Sequence, residues 1–214
     1  MSGPIAGMRS RRVSKVETFI VTLPRDTPYL GPLGPGESVN ERGYIVRKGN
    51  GTIYPTVDRS IAVRVTLDDG AHGWGETYGI CAPRATCEII NELLAPVLVG
   101  RDPEDVESIW DDLYGLMRVR GCGGGFHGEA LAALDIALWD LRARGRGLPL
   151  GAMLAEGPAR PVPGYLSGLP AATLEKRVAM ALEWEAAGIG ALKVAAGVSH
   201  EGIREEFAAL RTAL

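Results

Sequence analysis

The last third of the chain sets the strongest limit on its fold. Residues 162–167 read as a short strand, Thr173 can cap a helix carrying Leu174, Val178, Leu182 and Ala186, and Gly188 stops it. Residues 191–195 then repeat the strand, and Ser199 can cap a second helix with Ile203, Phe207, Leu210 and Leu214. The two strands start about 29 residues apart, and a strand–helix repeat at that spacing implies a parallel sheet. Parallel strands are buried on both faces and need neighbours, so two of them are not a domain. The expectation is a chain that stops inside its second domain, after the first two βα units of a larger parallel (β/α) TIM-type barrel, with strands borrowed from another chain as the alternative.

Ahead of this lies a stretch that reads as a complete α+β domain, over residues 13–145, with 146–214 as the truncated barrel. Residues 13–23 carry Val16, Phe19, Ile20 and Val21, a β-branched, strand-like run. Ile61, Val63, Val65 and Leu67 alternate with Arg64 and Thr66, and Asp69-Gly70 tolerates the positive φ of a tight turn before residues 72–76 return. These three strands predict a small antiparallel sheet. Between the first two, residues 24–43 are dense in glycine and proline, and so long an irregular segment reads as a lid or as a mobile surface excursion.

Helices follow the sheet. Pro83 can open one through Ile89, Ile90, Leu93 and Leu94, disturbed by Pro96 near its end. Asp102-Pro103 places a capping oxygen before a proline at the first helical position, ahead of the stripe Val106, Ile109, Trp110, Leu113 and Leu116. A glycine-rich run at 121–125 breaks the chain; without a Gly-Lys-Ser/Thr sequence it reads as a linker rather than an anion nest. Residues 129–143 then place Leu131, Leu134, Leu138 and Leu141 on one helical face, where Asp135 and Asp140 read as caps or ion pairs.

Several functions are disfavoured at once. A net charge of −3 gives no electrostatic case for nucleic acid or an anionic membrane, and Arg9, Arg11, Arg12 and Lys15 read as a solvated tail. No apolar run approaches the ~20 residues that span a bilayer, and the first residues lack the apolar core of a signal peptide. Cys81, Cys87 and Cys122 are an odd set without a CxxC pair, which fits a reduced, cytoplasmic protein.

Lys193 is the most informative single residue. Side chains alternate along a strand, so Leu192 and Val194 face covering helices while Ala191, Lys193 and Ala195 face the other way. In a barrel that way is the interior, at the mouth where active sites are built. An unpaired lysine there is desolvated, which lowers its pKa toward general-base range; snorkelling to solvent or a structural ion pair are the plainer alternatives.

Three segments carry a family resemblance that covers most of residues 13–200. The run Glu-Ala-Leu-Ala-Ala-Leu-Asp-Ile-Ala-Leu-Trp-Asp-Leu at 129–141, followed by Gly-Leu-Pro-Leu at 147–150, resembles the helix before the barrel in the mandelate racemase/muconate lactonizing group of the enolase superfamily. Gly-Ala-His-Gly-Trp-Gly-Glu at 70–76 resembles that group's capping-domain hairpin, and residues 188–197 resemble its second barrel strand, whose motif is Lys-x-Lys. The resemblance implies an α+β capping domain over a barrel, Mg²⁺ as cofactor, and abstraction of the proton α to a carboxylate. That proton is weakly acidic, so its removal needs a cation and preorganised donors for the developing charge.

The match departs from the family in two places. Lys193 fills the first position of the motif, but Ala195 stands at the second, usually the base. A base elsewhere, such as a His-Asp pair late in the barrel, is then required, with Lys193 as an electrostatic helper; an introduced substitution is the other reading. The group's metal ligands lie on the third to fifth barrel strands, beyond this chain, so no residue here is assigned to the metal. By the same resemblance Tyr165 and Ser167 fall at the end of the first barrel strand, where side chains can touch a substrate carboxylate, with plain packing as the alternative. Arg25, Tyr29 and Tyr54 fall in loops that close over the substrate and set its identity. His200 is expected on an exposed first helical turn, and His72 on a strand surface.

The implied activity is that of a Mg²⁺-dependent lyase, a sugar-acid dehydratase, in a homo-oligomer acting on a small carboxylate. A racemase or cycloisomerase of the same superfamily, or a catalytically inert fragment, are the alternatives. The 214-residue chain alone is expected to be inactive.

Overall fold

The computed structural model describes residues 11–121, 123–155, 157–158, 160–171, 173–194 and 202–214. These make two compact units, one from the described part of Met1–Arg47 and Thr52–Ala159, the other from Lys48–Gly51 and the described part of Arg160–Leu214. The division falls later than residue 145 because helix α4 (Gly125–Arg146) continues through that point and α5 (Leu150–Leu154) packs against it.

The first unit is built on an antiparallel sheet of β1 (Val13–Leu23), β4 (Asp58–Leu67) and β5 (His72–Tyr78), in the order β1-β4-β5. Strand β4 is central, and its alternating Ile61, Val63, Val65 and Leu67 are all buried. The turn after it is the expected one. Gly70 has φ +87°, and the Asp69 carboxylate accepts the Ala71 amide at 2.9 Å. On the opposite face Arg64 pairs with Glu17 of β1 at 2.7 Å and lies over the rings of Phe19 and Trp74.

Helix α4 packs closely on β5 because both surfaces are stripped of bulk. Gly73 and Gly75 face it, and a Cβ on either would overlap the carbonyl oxygen of Ala137 or Ala133 respectively. Its core-facing side continues with buried Leu131, Leu134, Leu138 and Leu141. Asp140 accepts the Trp74 backbone amide at 2.8 Å and the Arg144 guanidinium at 2.8 Å, so it is both a strand-edge acceptor and an ion-pair partner. The helix begins at Gly125, about one turn earlier than residue 129, with His127 buried while Gly125 and Phe126 stay exposed.

The remaining helices depart from expectation in two instructive ways. Pro96 lacks the amide an α-helix would use there, and the chain relaxes into a π-helical turn over Ile89–Leu94 between α1 (Pro83–Glu88) and α2 (Ala95–Leu98). Asp102 does not cap a helix. Its side chain accepts the Glu104 amide at 3.0 Å in a local turn, and α3 (Val106–Gly115) starts only afterwards. A short hairpin of β2 (Tyr44–Val46) and β3 (Ile53–Pro55) also stands just after the irregular segment, at residues to which the sequence reading assigns no element.

The second unit holds the parallel pair β6 (Leu166–Ser167) and β7 (Leu192–Lys193), shorter than the runs expected at 162–167 and 191–195. Helix α6 (Leu174–Ala186) is capped by Thr173, whose hydroxyl accepts the Lys176 amide at 3.4 Å. It ends before Gly188, which has φ +94°. Helix α7 (Ile203–Ala213) packs against it through a buried ion pair, Arg177 to Glu206 at 2.7 Å. Leu169, Ala181 and Leu210 form the small core, with Leu166, Leu192 and Val194 packed on it.

Candidate functional site

The loop after β1 and the hairpin β2–β3 bring three of the predicted residues together. The Arg25 guanidinium lies 4.4 Å from the centroid of the Tyr29 ring. Tyr29 in turn stacks on Tyr54 with centroids 5.8 Å apart and planes 16° from parallel. Arg25 is anchored by Asp58 at 2.7 Å and also donates to the Thr27 carbonyl. The stacked rings have few torsions to freeze, and the Arg25 cation adds electrostatic attraction to the face of Tyr29.

This cluster borders a groove of about 1090 Å³, with Val21, Tyr29, Arg59, Glu76, Glu129 and Ile136 among its walls. Arg59 donates to the Tyr44 hydroxyl at 2.8 Å and lies over the Tyr44 ring, and the same hydroxyl accepts the Ala82 amide. Glu76 accepts from the Ser60 hydroxyl, and Glu129 from Thr86 at 3.4 Å. Its walls mix the carboxylates of Asp58, Glu76 and Glu129, the Arg59 guanidinium and hydroxyl groups with apolar side chains.

In the second unit Ser167 and Lys193 are register partners of the parallel pair. The Leu166 amide donates to Ala191 and the Gly168 amide to Lys193, so the register is fixed on both sides of Ser167. Leu192 and Val194 pack against the helices, and Ser167 and Lys193 occupy the alternate positions. Lys193 is exposed, so the desolvation expected of a barrel interior is absent on this two-stranded face. Tyr165 is also exposed and lies just outside β6. An apolar cavity of about 690 Å³ lies on the other side, against Leu192, Val194, Phe207 and Leu210.

Among the described residues no group of three histidines, cysteines or acids converges as a metal site. No chemical step is assigned to Mg²⁺ on these residues. Burial pushes the Cys81 and Cys87 thiols up, away from thiolate chemistry. His72 is exposed at the rim of the sheet, edge-on to Trp74. Ala195, His200 and Cys122 lie outside the described residues. No helix among the described residues is long and apolar enough to cross a membrane.

Sequence reasoning passed over Arg47, Glu37, Tyr44 and Arg59. None follows a period or a motif. The one available signal was an arginine and a glutamate flanking a glycine- and proline-rich loop.

A family model described as mandelate racemase/muconate lactonizing enzyme, N-terminal domain, matches residues 52–155. D-galactonate dehydratase family member Pjdr2_1176 from Paenibacillus sp. (strain JDR-2) is 34% identical over 119 residues, covering 54% of this chain and 29% of that protein. D-galactarolactone cycloisomerase from Agrobacterium fabrum (strain C58 / ATCC 33970) is 33% identical over 108 residues, covering 50% and 28% respectively. The solved structure of an enolase superfamily member from Agrobacterium tumefaciens superposes with a TM-score of 0.87 at 50% identity, over 95% of this chain and 52% of that one. The chain spans about half the length of that structure and less of the two curated relatives. Its first unit has the capping fold of these proteins, and residues 52–155 belong to the N-terminal domain of the mandelate racemase/muconate lactonizing enzyme group.

Proposed function

We propose that this chain supplies the substrate-facing cap and the first two strands of the barrel of a Mg²⁺-dependent sugar-acid dehydratase. The observation that carries the reading is the pairing of Ser167 with Lys193, a hydroxyl and an ammonium side by side at the ends of parallel strands. Such strand ends are where a (β/α) barrel builds its chemistry. The likeness to a D-galactonate dehydratase family member supports elimination of water as the outcome.

In this reading a base removes the proton α to the carboxylate, the electron pair expels the β-hydroxyl as water, and the resulting enol becomes a 2-keto-3-deoxy acid. Lys193 keeps its charge and stabilises the developing enediolate. Ser167 and Tyr165 meet the carboxylate. Arg25, Tyr29 and Tyr54 face the hydroxylated end of the substrate. With Ala195 at the second motif position, the base comes from outside this chain, as do the carboxylates that hold Mg²⁺. A metal held by those carboxylates would supply positive charge against the charge that develops on the substrate. Turnover is ascribed to a polypeptide that carries the remaining strands, in a soluble homo-oligomer.

A second reading is a cycloisomerase, which the likeness to D-galactarolactone cycloisomerase favours. Proton NMR in D₂O separates the two. A panel of aldonic and aldaric acids with Mg²⁺ should yield 2-keto-3-deoxy products with one water lost per turnover. Deuterium entering the α-carbon without loss of water would contradict the dehydratase reading.

A further inference from the structure

The loop that carries Arg25 and Tyr29 is folded around a buried arginine. Arg47 leaves β2 with its side chain only 7% exposed. Its Nε and Nη2 donate to the Tyr29 carbonyl, Nη2 also to the Gly31 carbonyl, and Nη1 to the Pro32 carbonyl at 3.0 Å and the Glu37 carboxylate at 2.7 Å. Glu37, itself 7% exposed, closes the ring by accepting the Gly34 amide at 2.9 Å. One guanidinium thus gathers three carbonyls and a carboxylate from a nine-residue arc, Tyr29 to Glu37.

The arc is not a relaxed one. Leu30 has φ +66° and Gly31 φ +99°, and the left-handed region is unfavourable for leucine. The carbonyls on both sides of Leu30 are the ones Arg47 holds, so the bonds that compensate the strain come from the pin itself. Carbonyls turned inward this way have given up water, and only the planar five-donor fork of arginine satisfies so many at once. The consequence reaches the groove. With its backbone clamped, Tyr29 projects a ring that is stacked on Tyr54 and capped by Arg25, at the edge of the cavity it lines.

We infer that Arg47 and Glu37 are positioning residues: their buried pair preassembles the loop and sets the Tyr29 ring in its binding orientation before substrate arrives. The inference rests on the reading above that Tyr29 meets the substrate.

Two measurements test it. In the 214-residue chain, hydrogen exchange of the amides at 29–37 should speed at least tenfold in Arg47→Met and in Arg47→Lys, with β1, β4 and β5 unchanged. Failure of lysine to rescue distinguishes the fork from charge alone, and Glu37→Gln, which keeps an acceptor, is the milder variant should Arg47→Met not fold. In the polypeptide that carries turnover, Arg47→Lys should raise KM at least fivefold with kcat within twofold. Unchanged exchange, or a loosened loop with unchanged KM, would overturn the inference. The exchange arm needs no substrate, so a wild-type enzyme inactive on sugar acids would count against the functional reading and not against the pin.

Discussion

The side chain of Asp140 accepts the backbone amide of Trp74 at 2.8 Å, tying the middle of α4 to the free edge of β5. That amide would otherwise be an unpaired donor at a sheet edge. The carboxylate is also bonded to Arg144. Asp140→Ala should therefore destabilise the first unit by about 1–3 kcal/mol, the usual cost of stranding one partner of a hydrogen bond to a charged group. Asp140→Asn, which keeps an acceptor, should cost less. Urea unfolding of the two variants checks the ordering.

The glycines on either side of Trp74 give a sharper expectation. Gly75→Ala drives a methyl group into the Ala133 carbonyl, and backbone cannot move aside as a side-chain tip can. The cost should reach or exceed the upper end of the ~1–3 kcal/mol seen for overpacked cores. Gly128→Ala, on the same helix but with nothing within 4 Å of the new methyl, should instead stabilise by about 0.5–1 kcal/mol. Thermal melts of the two variants should move in opposite directions.

Asp135 and the pair Glu17 and Asp69 should respond to pH with opposite signs. Burial raises the Asp135 carboxyl above its usual range, partly offset by a hydrogen bond with Trp139. A raised folded pKa means a contribution fully present below the unfolded value of 3.8 and lost as pH rises through the folded one. Asp135→Asn should thus gain stability over wild type on going from pH 3 to pH 7. Glu17 is held low by Lys15 and Arg64, and Asp69 by the Ala71 amide and Arg11. Their contributions are present at neutral pH and fade as pH falls below the ordinary carboxylate range. Urea midpoints across that pH range check both signs.

In the second unit Arg177 and Glu206 are buried together, at 6% and 2% exposure. Removing one charge leaves the other stranded, so Arg177→Met or Glu206→Gln should cost about 3–5 kcal/mol. Replacing both with apolar residues should cost far less than the sum. A double-mutant cycle on the unfolding of this unit measures the difference.

What the sequence made legible was what repeats. Ile61, Val63, Val65 and Leu67 announce a strand by alternation, and Asp69-Gly70 announces the turn that follows. Thr173 and Gly188 frame α6 because capping chemistry is local. Strands of three residues, such as Tyr44–Val46, hold too few positions for any period to register. Asp102-Pro103 misleads because a local Asx turn and a helix cap use the same oxygen. The site divides in the same way. Lys193 is singled out by its strand position, whereas Arg47 leaves no such signal, because its partners are carbonyls and the Glu37 carboxylate up to 18 residues away in irregular chain.

On the proposed function, Lys193 of β7, beside Ser167 of β6, acts on the developing enediolate. The most direct measurement is the turnover of Lys193→Met on a sugar acid with Mg²⁺, in the polypeptide that carries the activity. Loss of a preorganised charge at the reacting centre should lower kcat by about 10²–10³-fold with KM little changed. A kcat within twofold of wild type would contradict the claim.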